Sequence, residues 1–201
     1  HADVHALEDA LRAIDTLGCD EIVCAGDLVD YGLFPNETLD RLAERKIPCV
    51  RGNHDRSAVK AGGGGGLDLS RASRKFLAGT PPSWSKTIDG VRVVVHHASP
   101  RGDMDGIDPE TLSSAQARAL LDLAKADVLI VGHTHIGFRV EVAGRGIIIN
   151  PAALLRSPAD GEENPPATGT FGVLEVPSLA FGTYRASDGV AVEMLRRRLA
   201  G

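Results

Sequence analysis

The feature that most constrains this chain is a repeated pattern. A short apolar run stops at a glycine-containing turn that carries Asp, Asn or His. Residues 21–25 close on Gly26-Asp27, residues 47–50 on Gly52-Asn53-His54-Asp55, and residues 128–131 on Gly132-His133-Thr134-His135. Runs this short, rich in β-branched residues and bounded by turn signals, read as buried strands rather than helices. Between them lie stretches with helical spacing. Residues 9–17 place Ala10, Leu11, Ile14 and Leu17 on one face and stop at Gly18, and 36–45, 70–77 and 113–124 read the same way. Short strands alternating with helices predict an α/β domain. Asp89-Gly90, between 85–88 and 91–96, predicts a hairpin. Another glycine-containing turn joins 139–142 to 147–150, and 171–176, 180–185 and 190–195 close the chain as strands or as strands and a helix. These antiparallel pairs predict a second sheet. The expectation is therefore two packed sheets with helices outside, forming one domain over 1–201.

Aromatic residues make up only 4% of the chain, so the core must rest on Val, Ile, Leu and Ala. The same scarcity leaves little from which to build a base-stacking surface for nucleic acid. The net charge of -5, with no basic run except Arg196 to Arg198, also argues against a nucleic-acid binder. That run is read as the end of a helix, where cations suit the dipole. Cys19, Cys24 and Cys49 are odd in number and form no C-x-x-C pair, which points to buried, reduced thiols in a cytoplasmic protein. No apolar run is long enough to span a bilayer. No signal peptide is visible, although the sequence does not begin with Met. Gly62 to Gly66 reads as a loop close to the functional turns but without chemistry of its own, and 157–169 as a second surface loop.

Asp3, Asp27, Asn53, His97 and His133 each fall at or just beyond the C-terminal end of a predicted strand. That edge is where open α/β sheets bind ligands. In the pairs Asp3/His5 and His133/His135 the two residues alternate along extended backbone, which turns both side chains to one side. A set of carboxylate, amide and imidazole groups without thiolates suits manganese, iron or zinc. Seven such ligands exceed the needs of one tetrahedral ion. They suit two ions sharing a carboxylate, which at a separation of about 3.5–4 Å clamp a phosphoryl group and acidify a water between them. Turn preference explains Asp and Asn at such places, but not four histidines.

Five motifs carry a resemblance: Asp3-Val4-His5, Gly26-Asp27-Leu28-Val29-Asp30-Tyr31-Gly32, Gly52-Asn53-His54-Asp55, His97-Ala98-Ser99-Pro100 and Gly132-His133-Thr134-His135. In order and spacing they are similar to the calcineurin-like metallophosphoesterases, in particular the small bacterial phosphodiesterases and phosphatases. The likeness covers Asp3 to about Pro151, and the G-N-H-D and G-H-T-H motifs are its specific part. It implies a four-layer αββα sandwich. It implies one metal held by Asp3, His5, Asp27 and His135, and another by Asp27, Asn53, His97 and His133, with Asp27 bridging. The ions would be divalent, manganese first, with iron or zinc as alternatives. His54 would act over the phosphate and Asp55 would orient it. The implied reaction is attack of metal-bridging hydroxide on a phosphodiester, in a nucleotide or another small phosphoester. The alternatives are a phosphomonoesterase or protein phosphatase on the same site, and a non-catalytic protein-binding scaffold of the same fold. No membrane or stable nucleic-acid partner is implied.

Three departures accompany the likeness. The family places a β-strand ahead of the first motif, and here that strand is missing upstream of Asp3. Ala6-Leu7 stand where the family has Gly-Asn. Asn150-Pro151-Ala152-Ala153 replaces an Asn-Pro-Gly-Ser turn. Outside the seven ligands, His1 is read as a tail residue and His96 as packed or solvated. Asp30 is read as a turn cap or a partner behind the ligands, Tyr31 as a core or rim residue, and Ser99 and Arg101 as surface or phosphate contacts.

Overall fold

The computed structural model describes residues 1–60, 67–155 and 169–200. The glycine run and nearly all of the expected loop at 157–169 lie outside the described residues. Helix α1 (Val4–Leu17) begins five residues earlier than the expected 9–17. Asp3 is its N-cap, accepting a hydrogen bond from the Ala6 N–H at 2.9 Å. Val4, Leu7, Ala10, Leu11 and Ile14 share its buried face, at the spacing of an amphipathic helix. Helices α2 (Pro35–Glu44), α4 (Arg71–Gly79) and α5 (Ser114–Ala124) match expected ones. Helix α3 (Asn53–Lys60) does not, because its first turn is the Gly52-Asn53-His54-Asp55 motif itself.

The expected hairpin appears as β1 (Ser83–Ile88) and β2 (Val91–His96), paired in the register Ile88 to Val91. The six-stranded sheet continues through β3 (Val128–Ile130), β4 (Gly137–Val142), β5 (Gly146–Pro151) and β9 (Leu195–Leu199), in the order β1-β2-β3-β5-β4-β9. β2, β3 and β5 run parallel, and β4 is antiparallel to β5. A second sheet has the order β6 (Thr170–Leu174), β7 (Phe181–Arg185), β8 (Ala191–Val192).

Two expectations change here. Arg196 to Arg198 lie in strand β9, parallel to β4, and not at a helix end. Leu199 is buried in the core and Leu195 packs partly against it, so the alternation of the strand decides its fate. Residues 21–25 and 47–50, expected as full strands, are joined by a single parallel rung at Cys24 and Cys49. Cys24 donates to Pro48 O at 2.9 Å and Val50 donates back to Cys24 O at 3.0 Å.

Side-chain alternation assigns the layers. In β5, Ile148 packs with Leu120 and Leu121 of α5, while Ile147 and Ile149 pack on the other face with Phe181 of β7. Each such isoleucine contributes about 1.5–3 kcal/mol through burial. Beyond the second sheet, Ala10 and Ile14 of α1 meet Phe171, with Tyr184 packed against them. Leu7, Leu11, Leu39, Leu42 and Leu77, from α1, α2 and α4, enclose Leu28 and Val29. The result is helix, sheet, sheet, helix, as expected. Among the described residues no helix is long and apolar enough to cross a membrane.

Candidate metal centre

The ends of four extended segments deliver their polar groups to one place. Asp27 follows the Cys24 rung, Asn53 follows the Cys49 segment, His97 follows β2, and His133 follows β3. Ligand atoms of Asp27, His97 and His133 all lie within 4.8 Å of one another, a group that could hold a metal ion. Asn53 Oδ1 is 3.0 Å from His97 Nε2 and 3.0 Å from His133 Nδ1. Asp27 Oδ2 lies 3.0 Å from His97 Nε2, and Asp27 is only 4% exposed.

Backbone fixes the ring of His97. Its Nδ1 donates to Ala25 O at 2.8 Å, so Nε2 turns toward the oxygens of Asp27 and Asn53. An oriented imidazole facing a carboxylate and an amide oxygen is a donor set for a cation. Burial disfavours charge on His97, but the hydrogen bond and charge of Asp27 outweigh it and hold the imidazole pKa above its ordinary value. Burial likewise opposes the charge on Asp27, and the neighbouring imidazoles of His97 and His54 pull its pKa below the carboxylate norm. His133 is pushed down, by burial first and then by the charge of His97.

On the other side of Asp27 stands His1, which the sequence presents as a tail. Its Nε2 is 2.9 Å from His135 Nε2 and 3.8 Å from Asp27 Oδ2. Its main-chain nitrogen donates to Asp27 O at 2.6 Å. Its Nδ1 is buried and has no hydrogen-bond partner. Two facing imidazole nitrogens beside a buried carboxylate again form a donor set that a cation satisfies.

The structure therefore brings together Asp27, Asn53, His97 and His133, with His135 joined through His1. It gives Asp3 and His5 other work. Asp3 caps the helix through Oδ1. His5 sits in the first turn of α1, exposed, with its ring 5.2 Å from that of Phe34. The expected placement of these two among the ligands is corrected by the helix, which rotates successive side chains by about 100° instead of alternating them. It is His1, and not His5, that lies beside His135 and Asp27.

Asp55 is corrected in the same way. It does not orient His54. At the third position after Gly52 its carboxylate reaches back to the Gly52 N–H at 2.8 Å, half of a capping box. Its other oxygen accepts from Leu28 at 2.8 Å and Val29 at 3.2 Å. This fully buried group thus ties the Asp27 loop to the Asn53 loop. Burial raises its pKa, against the pull of those N–H groups. The residue that orients His54 is Asp30, whose Oδ2 lies 2.6 Å from His54 Nδ1. No sequence spacing announces this contact, because it spans 24 residues between two loops.

Close packing holds the two loops at this separation. A Cβ on Gly52 would fall 2.0 Å from Asp27 Oδ1. Asp27, Asp30, Tyr31, His133 and His135 all have positive φ, between 53° and 77°. Such backbone costs roughly 1–3 kcal/mol at each residue and clusters at functional sites. Asn150 supports the His133 turn from below, donating to Gly132 O at 2.8 Å and accepting from Ala152 N at 2.9 Å. Ala152 itself takes φ 67°, so the turn forms without the glycine. His96 is half-buried beside the centre's strand, and Ser99 donates to Asp105.

Residues 1–177 match the sequence profile of the family described as the calcineurin-like phosphoesterase superfamily domain. An uncharacterized protein of Methanocaldococcus jannaschii is 28% identical over 155 residues, which are 69% of this chain. The chain spans only 60% of that relative's length. The fold is similar to that of a metallophosphoesterase from Sphaerobacter thermophilus, with 24% identity and a TM-score of 0.65 over 96% of this chain and 85% of the other. It is also similar to a hypothetical protein from Pyrococcus horikoshii, with 16% identity and a TM-score of 0.67 over 96% and 84% of the two chains.

Proposed function

The chain belongs to the calcineurin-like phosphoesterase superfamily, and from that premise we propose that it hydrolyses a phosphodiester with two divalent metal ions. The observation that carries this reading is the pair of donor sets meeting at Asp27. His1 and His135 lie to one side, with His1 Nε2 3.8 Å from the carboxylate and 2.9 Å from His135. Asn53, His97 and His133 lie to the other side. In this reading Asp27 is shared, and His1 stands in the set to which the D-x-H spacing had assigned Asp3 and His5. Nitrogen and oxygen donors without thiolate suit manganese first, with iron and zinc as alternatives. The ions supply the charge that clamps a phosphoryl group and acidifies water.

The chain's own residues do the rest. Asp30 accepts a hydrogen bond from His54 Nδ1–H, which turns Nε2 toward the phosphoester; with the ring protonated at both nitrogens, Nε2–H gives its proton to the leaving oxygen and the ring keeps the one on Nδ1. His54 N–H holds Asp27 Oδ1 at 3.0 Å, so the acid group and the shared ligand move together. Asp55 sets the spacing of the two loops. The domain reading is part of the same proposal: one domain over 1–201.

The test is hydrolysis of bis(4-nitrophenyl) phosphate and 4-nitrophenyl phosphate by Mn²⁺-loaded protein whose metal content has been measured. Faster turnover of the diester supports the proposal, and faster turnover of the monoester replaces it with a phosphomonoesterase. Two bound ions with turnover of neither point to a protein-binding scaffold.

A further inference from the structure

The ester's leaving group needs a surface beside His54, and the loop after Asp30 provides one. Tyr31 is 48% exposed in a chain with only eight Phe, Tyr and Trp residues. Its ring centroid lies 4.8 Å from that of His54 and 4.6 Å from that of His1. Its backbone sits at φ 64°, a conformation that costs a bulky side chain roughly 1–2 kcal/mol. The residue is about half exposed, so burial returns only part of that cost.

The position is nonetheless built. Asp30 Oδ1 accepts the Tyr31 N–H at 2.9 Å, while the other oxygen of the same carboxylate holds His54. Gly32 donates to His1 O at 2.9 Å and Phe34 to Ala2 O at 3.1 Å, which stitches the loop to the first residues of the chain. A Cβ on Gly32 would fall 2.5 Å from both carbonyl oxygens, so only glycine closes this turn. Leu33, 84% exposed, extends the apolar rim.

We propose that the exposed face of Tyr31 is the leaving-group subsite of this centre, a stacking platform for a flat aromatic substituent such as a nucleobase. The inference rests on the hydrolytic reading above, in which His54 protonates the leaving oxygen. The group attached to that oxygen then departs past the neighbouring ring. Stacking on such a ring is tolerant of base identity, so the platform selects base-bearing phosphoesters without choosing among bases.

The experiment compares the affinities of adenosine 5′-monophosphate and ribose 5-phosphate for the Mn²⁺-loaded protein by calorimetry. The expected ratio is about tenfold or more in favour of the base-bearing probe. Tyr31→Phe keeps that ratio, whereas Tyr31→Leu and Tyr31→Gly bring it close to one. Tyr31→Gly is informative because glycine accepts the positive φ, so its melting temperature stays at or above that of the parent. A parent ratio near one, a ratio that survives in Tyr31→Gly, or a ratio lost in Tyr31→Phe overturns the platform. Diester turnover with no base preference sinks the platform and leaves the phosphodiesterase. A Tyr31-dependent tenfold ratio in protein that turns over neither ester keeps the stacking platform but removes the hydrolytic reading and, with it, the leaving-group role.

Discussion

The two sides of Asp27 are built on different terms. On the Asn53 side every contact has an answer within the protein: His97 gives one ring nitrogen to Ala25 O and meets Asp27 and Asn53 with the other, and Asn53 meets His133 as well. On the His1 side two imidazole nitrogens face each other at 2.9 Å, and His1 Nδ1 is buried with no partner. The first half is a self-consistent hydrogen-bonded cage. The second is a pair of imidazoles bonded to each other, with one buried ring nitrogen of His1 left over. One half is closed by contacts within the protein, and in the two-metal proposal the other is the half that a cation would organise.

Asp27→Asn is the severest break, since this residue belongs to both halves. In the two-metal proposal it is expected to remove both ions and to lower turnover by about 10⁴-fold or more. Elemental analysis of the purified variant decides: two tightly held ions would show that Asp27 is not shared. Next comes His54→Ala, expected to cost about 10²–10³-fold in kcat with the metal content unchanged. Asp30→Asn follows at about 10–100-fold, because it loosens the ring without removing it. An equal effect of Asp55→Asn, without loss of folding, would return the orienting role to Asp55.

The comparison itself is sharpened by His97→Ala against His135→Ala. Each weakens one ion by about 10–100-fold or more. Only His97→Ala also lowers the melting temperature of the chelated protein, since only that ring belongs to the cage that stands without metal. If chelated His135→Ala protein melts as low as chelated His97→Ala protein, the two halves are alike. The smallest expected effects concern the first helix. Asp3→Ala removes a cap and costs about 1 kcal/mol of stability, seen by thermal melting, with both ions retained. His5→Ala leaves metal content and turnover unchanged. Loss of an ion in either variant would restore the D-x-H assignment.

Much of this was legible before any coordinates. The glycine-closed turns placed Asp27, Asn53, His97 and His133 at strand ends because short apolar runs can only be strands, and strands of an α/β sheet aim their ends at one rim. The first motif misled because Asp3-Val4-His5 satisfies a D-x-H spacing while lying on a helix. A signal against it existed. Val4, Leu7, Leu11 and Ile14 follow the helical period back to the fourth residue, which makes Asp3 a cap and points His5 away from the buried face. Asp30 and its pairing with His54 had no such signal, because the contact depends on how two distant turns are set against each other. The strand at 195–199 was hidden by its three arginines, whose charge suggested a helix end more strongly than two leucines four apart suggested an edge strand.

One buried carboxylate, that of Asp55, accepts hydrogen bonds from Gly52, Leu28 and Val29 and so belongs to two turns at once. It acts as a pin through both. Adding or deleting a residue between Asp27 and Val29, or between Gly52 and Asp55, would shift three amides out of reach together, so those segments tolerate no change in length. Variation in reach and shape is left to stretches farther along the same loops, while the spacing of Asp27 and Asn53 stays constant.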